Sequence, residues 1–259
     1  MAVNFLTRSE LEDVFSIKYG RLGKPALGPR LGRRLDYYSP DVFYEALVAR
    51  LVTPGCTWAD IGCGRDIFPN NPSLARTLAD RCSYLLGVDP DSNIEDNPFV
   101  TERFRGLIDN YKASRAFDLV TMRMVAEHIA RPDAALGAVA RILRPGGKLV
   151  VYTPYKWTPV AIATQALPFW LHHPIKRVLW GGDERDTFPT EFQMNTRGTL
   201  ARLASGNGLN EVLFAYLDDC RVTSRWLVLN ALELATRRLC RFIGLRHVEC
   251  CILATYERA

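Results

Sequence analysis

The sequence predicts an α/β protein built on a doubly wound, mostly parallel sheet, and three observations carry that prediction. Short apolar runs of strand length alternate with longer segments of helical periodicity, the pattern of repeated β-α-β units. One run, Trp58-Ala59-Asp60-Ile61, breaks into Gly62-Cys63-Gly64-Arg65-Asp66, where two residues without a Cβ let the backbone turn sharply and a ligand lie against it. A second run, Leu85-Leu86-Gly87-Val88, closes on Asp89. In such a sheet the acid ending the second strand lies beside the first turn, where its two oxygens can accept both hydroxyls of a ribose. Together these signals point to a nucleoside.

Taken in order, residues 1–40 are mixed and basic, with Lys18, Arg21, Lys24, Arg30, Arg33 and Arg34 set among glycines, and read as a surface arm. Tyr37 and Tyr38 are its notable aromatic residues. Ser39-Pro40-Asp41 opens a helix: Ser39 can cap, Pro40 suits the first turn, and Asp41 favours the positive end of the dipole. Val42, Phe43, Leu47 and Leu51 then recur at helical spacing until Pro54-Gly55. The first strand and glycine turn follow, then a helix over Pro72–Ala79 and a second strand over Ser83–Val88. A polar loop spans Asp91–Pro98, and a short third strand lies within Phe99–Ile108. Phe117–Arg123 reads as a fourth strand buried on both faces.

Arg131-Pro132-Asp133 begins a helix with Leu136, Val139, Ala140 and Leu143 on one face, stopped by Pro145-Gly146-Gly147. Lys148–Thr153 is the fifth strand. Residues 156–195 form an insertion whose stretch Leu167–Trp180 is apolar and aromatic, either an active-site cover or a packing pair of helices. A helix capped through Thr196 covers Asn195–Asn207, a sixth strand Glu211–Leu217, a further helix Ser224–Ile243, and the last strand His247–Tyr256.

A chain of 259 residues with 48% hydrophobic content can bury one large core. The net charge of +5 is mild and its bases are spread, so nucleic acid is not demanded as a partner. Seven cysteines without a C-x-x-C pair argue against a disulfide framework and against a zinc site, so no metal is expected; Cys63, Cys250 and Cys251 read as small buried hydrophobes. His172 and His173 are adjacent, hence splayed on a helix, and make a poor metal pair. The N-terminal apolar run is too short for a signal peptide, and no run reaches the roughly 20 residues of a membrane span. The expectation is a reduced, cytoplasmic, soluble protein. Pro168 and Pro174 interrupt any amphipathic helix in the aromatic stretch, leaving peripheral membrane contact open. The oligomeric state is unspecified.

The motifs Asp60-Ile61-Gly62-Cys63-Gly64, the acid Asp89, Phe117-Asp118-Leu119-Val120-Thr121-Met122 and Leu143-Arg144-Pro145-Gly146-Gly147-Lys148-Leu149-Val150 stand in the order and spacing of one family. The chain resembles the class I S-adenosylmethionine-dependent methyltransferases, nearest their small-molecule, type 11-like branch, over residues 41–155, and beyond them by topology. The resemblance implies a Rossmann-like seven-stranded sheet with an antiparallel last strand, and a methyltransferase domain over residues 41–259. It also implies that residues 1–40 are an arm or a lid and that residues 156–195 are a cover. It implies S-adenosylmethionine as cofactor, leaving as S-adenosylhomocysteine. The cofactor-binding residues it implies are Asp60, Gly62, Cys63, Gly64 and Arg65 around the turn, Asp89 and Pro90 at the ribose, Leu107, Ile108 and Asp109 beside the adenine, and Arg123. Leu107 stands where the family often has an acid, and Asp109 can substitute at a different reach. Asp66 replaces the third glycine of many members, which also weighs against a nicotinamide enzyme.

Methyl transfer from a sulfonium needs mainly alignment, and a base only when the acceptor must lose a proton. His128 is the candidate catalytic base, because histidine as a residue type exchanges protons near neutral pH. The alternative is that Glu127-His128 shapes the pocket and caps the next helix. Tyr155, Asp186, Thr190 and Asn195 are candidate substrate contacts. Enzymes that methylate base amines usually carry Asp/Asn-Pro-Pro-aromatic after the fourth strand, where this chain has Arg123-Met124-Val125-Ala126. Methylation of base amines is thus disfavoured, with other nucleic-acid acceptors left open; the expected acceptor is a small molecule, and the aromatic stretch Phe169–Trp180 favours an apolar metabolite such as a quinone, lipid or natural product over a sugar. The rival readings are a non-catalytic S-adenosylmethionine-binding scaffold and an RNA-modifying methyltransferase using the basic arm.

Overall fold

The computed structural model describes residues 5–20, 27–158, 162, 190–221, 223, 224, 226–245 and 247–259. Its strands are β1 (Thr57–Ile61), β2 (Tyr84–Asp89), β3 (Glu102–Arg105), β4 (Phe117–Arg123), β5 (Leu143–Pro154), β6 (Leu209–Asp218) and β7 (Glu249–Arg258). They form one sheet in the order β3-β2-β1-β4-β5-β7-β6, parallel except for β7, which runs antiparallel to both β5 and β6. The fold is thus the Rossmann-like sheet that the motifs imply. The described helices are α1 (Arg8–Tyr19), α2 (Leu27–Arg34), α3 (Pro40–Leu51), α4 (Pro72–Ala79), α5 (Pro132–Ile142), α6 (Arg197–Gly206) and α7 (Leu227–Phe242).

Side chains alternate across a strand, so neighbouring apolar residues serve opposite faces. Trp58, Leu85, Leu119 and Val150 join α1, α3 and α4 in one core cluster, while Ala59, Leu86, Val120 and Val151 join α5 and α6 in the other. The continuous apolar runs read as strands are therefore buried on both sides.

Three local expectations change. Residues 5–20 are not an arm: Leu11, Val14 and Phe15 lie at helical spacing on α1 and are buried with α3. Thr7 and Glu10 close a reciprocal capping box at its start, a short-range signal that the surrounding charges hid. Tyr38, buried, donates its hydroxyl to Glu12 at 2.6 Å. Ser39 stands at the N-cap of α3 without a side-chain cap bond, so Pro40 alone sets that start. Pro145-Gly146-Gly147 does not stop α5, which ends at Ile142; the pairing jumps from Phe117↔Leu143 to Leu119↔Lys148, and the three residues bulge inside β5. Asn71, unforeseen, caps α4 by accepting the Leu74 amide.

Most of the 156–195 insertion, including the aromatic stretch Phe169–Trp180, lies outside the described residues, as do His172, His173 and Asp186. Among the described residues, no helix is long and apolar enough to cross a membrane.

Candidate functional site

The parallel strands β1, β2 and β4 point their carboxyl ends at one edge of the sheet, the place where α/β folds hold ligands. At Gly62 the chain turns with φ +71°, and its amide donates to the carbonyl of Val88 at 2.7 Å, tying the turn to β2. Gly64, with φ +47°, donates its amide to Asp89 Oδ2 at 2.9 Å. Asp89 Oδ1 accepts the Asp91 amide at 2.8 Å, and Asn97 Nδ2 donates to the Gly64 carbonyl at 3.0 Å. Each Asp89 oxygen holds one backbone donor and keeps lone-pair capacity for another. Burial raises its carboxyl above the usual range.

Asp60 is buried at the end of β1, where Oδ1 accepts the Thr121 hydroxyl at 2.5 Å. Desolvation pushes its pKa up to about 7. Cys63, also buried, packs its sulfur against Gly87, and burial raises its thiol.

The other expected cofactor residues are spread around this centre. Pro90 follows Asp89 on the surface, and Arg65 reaches outward to Asn93 at 3.3 Å and Asp96 at 3.5 Å. Past β3, Leu107 is exposed, Ile108 is buried, and Asp109 pairs through Oδ2 with Arg131 while its Oδ1 is buried without a partner. Arg123, at the end of β4, is directed to Asp41 on α3 at 3.7 Å, and its Nε finds no partner. The sequence read Asp41 only as a helix-dipole residue; it is buried, accepts Tyr152 Oη at 3.1 Å, and pairs with Arg221. Against the upward push of burial, Arg221 and Arg123 hold its carboxyl below the usual range. No periodicity in the sequence reports that network, because its members come from α3, β4, β5 and the loop after β6.

After β4, Met124 takes φ +53° and donates its amide to Tyr152 O at 2.7 Å, a left-handed residue at the mouth of the site. The short 3₁₀ turn Ala126–His128 follows. Glu127 is buried and accepts the Thr153 hydroxyl at 2.8 Å; burial raises its carboxyl, with His128 opposing. His128 Nε2 lies 3.9 Å from Glu127 Oε1.

The substrate candidates separate. Tyr155 is half-buried, its ring edge-on to Tyr216 at 4.9 Å, and Thr190 is exposed. Asn195 faces inward instead: fully buried, it donates to Thr153 Oγ1 at 2.7 Å and to Pro154 O at 2.8 Å, bracing β5 against the segment before α6. Away from this edge-centred turn, Cys220, Glu233 and His247 bring donor atoms within 4.8 Å of one another at the base of α7, a grouping that cysteine spacing did not suggest.

Comparison with known proteins adds three findings. A family model described as a methyltransferase domain matches residues 33–213. The ubiquinone biosynthesis O-methyltransferase of Xanthomonas oryzae pv. oryzae (strain PXO99A) is 34% identical over 136 residues, 50% of this chain and 52% of that protein. Its counterpart in Xanthomonas campestris pv. campestris (strain B100) is 31% identical over the same shares. The chain thus spans about half the length of the curated relatives it matches. In fold it is similar to a putative S-adenosylmethionine dependent methyltransferase from Listeria monocytogenes, with TM-score 0.53, 13% identity and 85% and 98% of the two chains covered. It is similar also to N-methyltransferase NodS from Bradyrhizobium japonicum WM9 in complex with S-adenosyl-l-homocysteine, with TM-score 0.51, 14% identity and 96% and 97% covered.

Proposed function

The chain belongs to the methyltransferase-domain family of class I S-adenosylmethionine-dependent methyltransferases, and from that premise we propose that it methylates an oxygen of an apolar, phenol-like small molecule. The observation that carries the reading is the clasp in which Asp89 holds the Gly64 amide and closes the Gly62–Gly64 turn beside the buried Asp60.

The residues present fit the cofactor. Asp89 keeps acceptor capacity for ribose hydroxyls, and at Gly64 the place a Cβ would take is clear, its nearest atom being Asp89 Oδ2 at 3.9 Å. The free Oδ1 of Asp109 offers an acceptor to an adenine amine, with the exposed Leu107 as an apolar neighbour. Asp60 offers a carboxylate to a cationic amino acid group. When bound, S-adenosylmethionine supplies an electrophilic methyl group whose leaving group is a neutral thioether.

The chain's own part is then alignment and one proton. Held in line, two reactants gain up to about 7 to 11 kcal/mol over free encounter. His128 stands after β4 beside the buried Glu127, its Nε2 3.9 Å from Glu127 Oε1. The proton of an acceptor hydroxyl passes to His128 as oxygen becomes nucleophilic. Tyr155 and Tyr216 add an aromatic wall. The names of the Xanthomonas relatives, O-methyltransferases of ubiquinone biosynthesis, support an O-directed reaction.

The test is calorimetric titration of S-adenosylmethionine, then transfer of labelled methyl to a panel of catechols, prenylated phenols and sugars. Micromolar binding that weakens in Asp89→Ala, with turnover on phenols, supports the reading. Absence of binding by ligand-free protein overturns it, and turnover confined to sugars overturns the acceptor class.

A further inference from the structure

β6 ends and β7 begins at the carboxyl edge of the sheet, because β7 is antiparallel to both neighbours and pairs Glu249 with Asp218 at the end of β6 and Cys251 with Pro154 at the end of β5. The chain between them, which contains α7, therefore sits on the edge that carries the candidate site. One face of α7 is fastened there. Leu234 is buried against Tyr37 and Cys220, and Arg237 pairs with Asp218 and donates to Asp36 O at 3.2 Å. The Cys220 amide donates to Tyr37 Oη at 2.9 Å, so α2 and α7 are held together through the segment after α2.

Among the described residues, the other face is apolar and uncovered. Val228, Leu232, Leu239 and Phe242 recur at helical spacing, with exposures of 72%, 60%, 58% and 88%, and Leu27 of α2 beside them is 64% exposed. Soluble surfaces scatter single apolar residues; a contiguous stripe of this kind marks an interaction surface. Its rim is basic. Of the six arginines in α2 and α7, Arg33 pairs with Glu12 and Arg237 with Asp218, and the one acid of the two helices, Glu233, is turned toward the Thr223 hydroxyl. Arg34, Arg238 and Arg241 are exposed, and Trp226, half-exposed, opens α7.

We propose that the α2–α7 face docks on an anionic lipid bilayer, with the apolar stripe in the acyl-headgroup boundary and the arginines at the phosphates. An apolar stripe flanked by bases and free of exposed acid is the composition of helices that lie in a membrane interface. A second copy of the chain fits less well, since a two-fold contact would bring this arginine rim against itself. α7 is 16 residues long, so it lies on the bilayer rather than crossing it. Docking brings the edge with Asp60, Asp89 and His128 beside the lipid. The inference stands apart from the proposed reaction, since binding to lipid needs neither cofactor nor acceptor.

The experiment is co-sedimentation of the purified full chain with phosphatidylcholine vesicles, with and without phosphatidylglycerol, at low and high salt. Expected is binding about tenfold or more stronger to the phosphatidylglycerol vesicles and weakened by salt. Val228→Ser with Phe242→Ser should lower it about tenfold or more at both salts, and Arg238→Glu with Arg241→Glu should abolish the preference for anionic lipid. These positions are exposed, and circular dichroism checks that the variants fold. Failure of the wild type to bind, or binding that these variants leave unchanged, overturns the proposal. So does light scattering that shows a dimer dissociated by the same substitutions, which would assign the face to a second copy.

Discussion

Gly62 and Val125 are fitted so closely that a Cβ on Gly62 would lie 2.1 Å from Val125 Cγ2. The glycine turn after β1 and the loop after β4 thus pack on each other without room for one methyl group. Gly62→Ala should cost about 1 to 3 kcal/mol, from overpacking together with φ +71°. Val125→Ala in the same chain should recover the overpacking part and leave the backbone part. Thermal unfolding of both single variants and the double variant measures the coupling; simple additivity would show that the two loops do not constrain each other.

Asp89→Ala leaves the half-buried Gly64 and Asp91 amides without their acceptor and removes the ribose acceptors. S-adenosylmethionine affinity should fall by about 1 to 3 kcal/mol, roughly 5- to 150-fold, and stability should fall with it. Asp89→Asn, which keeps one carbonyl oxygen, should retain part of the stability and lose most of the affinity. Calorimetry and melting of both variants separate the two losses.

Asp60 gives a pH signature whose sign is fixed by its burial. Its folded pKa of about 7 lies above its ordinary value of 3.8, so the folded state favours the protonated acid. The resulting stability is fully present below about pH 4 and is lost as pH rises through about 7. Asp60→Asn should remove that loss, so the difference in melting temperature between variant and wild type should grow in the variant's favour from pH 5 to pH 8. A cationic ligand beside Asp60 draws off its proton. Titrations in buffers of different ionisation enthalpy should show proton release near pH 7 in the wild type beyond that in the variant.

His128→Asn tests the base. Turnover of a phenolic acceptor should drop by about 10² to 10⁴ in kcat while S-adenosylmethionine affinity holds. A change confined to acceptor KM would assign His128 to pocket shape. Glu127→Gln should weaken turnover less, since Thr153 can still donate to the remaining carbonyl oxygen.

Tyr37→Phe strips the acceptor from the buried Cys220 amide and loosens the hold of α2 on the segment leading to α7. The expected loss is about 1 to 2 kcal/mol. Urea unfolding measures it, and an unchanged midpoint would show that α7 is held by Arg237 and Leu234 alone.

Much of the fold was legible because burial along one element leaves a period in its own sequence. Phe117–Arg123 and Pro72–Ala79 have the bounds that their apolar runs and turn residues indicate, and Thr196 caps α6 as read. The bases of residues 1–40 hid α1, whose Leu11, Val14 and Phe15 make a narrow stripe between charges. The Pro-Gly-Gly of β5 looked like a stop because a bulge and a turn use the same residue types.

By itself the sequence determined the alternating β-α order, the glycine turn after β1 and the acid that closes β2, since each depends on residues close together in the chain. Only the tertiary structure decided that Asp41 gathers Arg123, Tyr152 and Arg221, that Asn195 braces β5, and that the apolar stripe of α7 faces outward at the site's edge. These depend on which distant segments pack together. A helical period shows that a face is apolar, while only packing settles whether that face meets the core or is left for a partner.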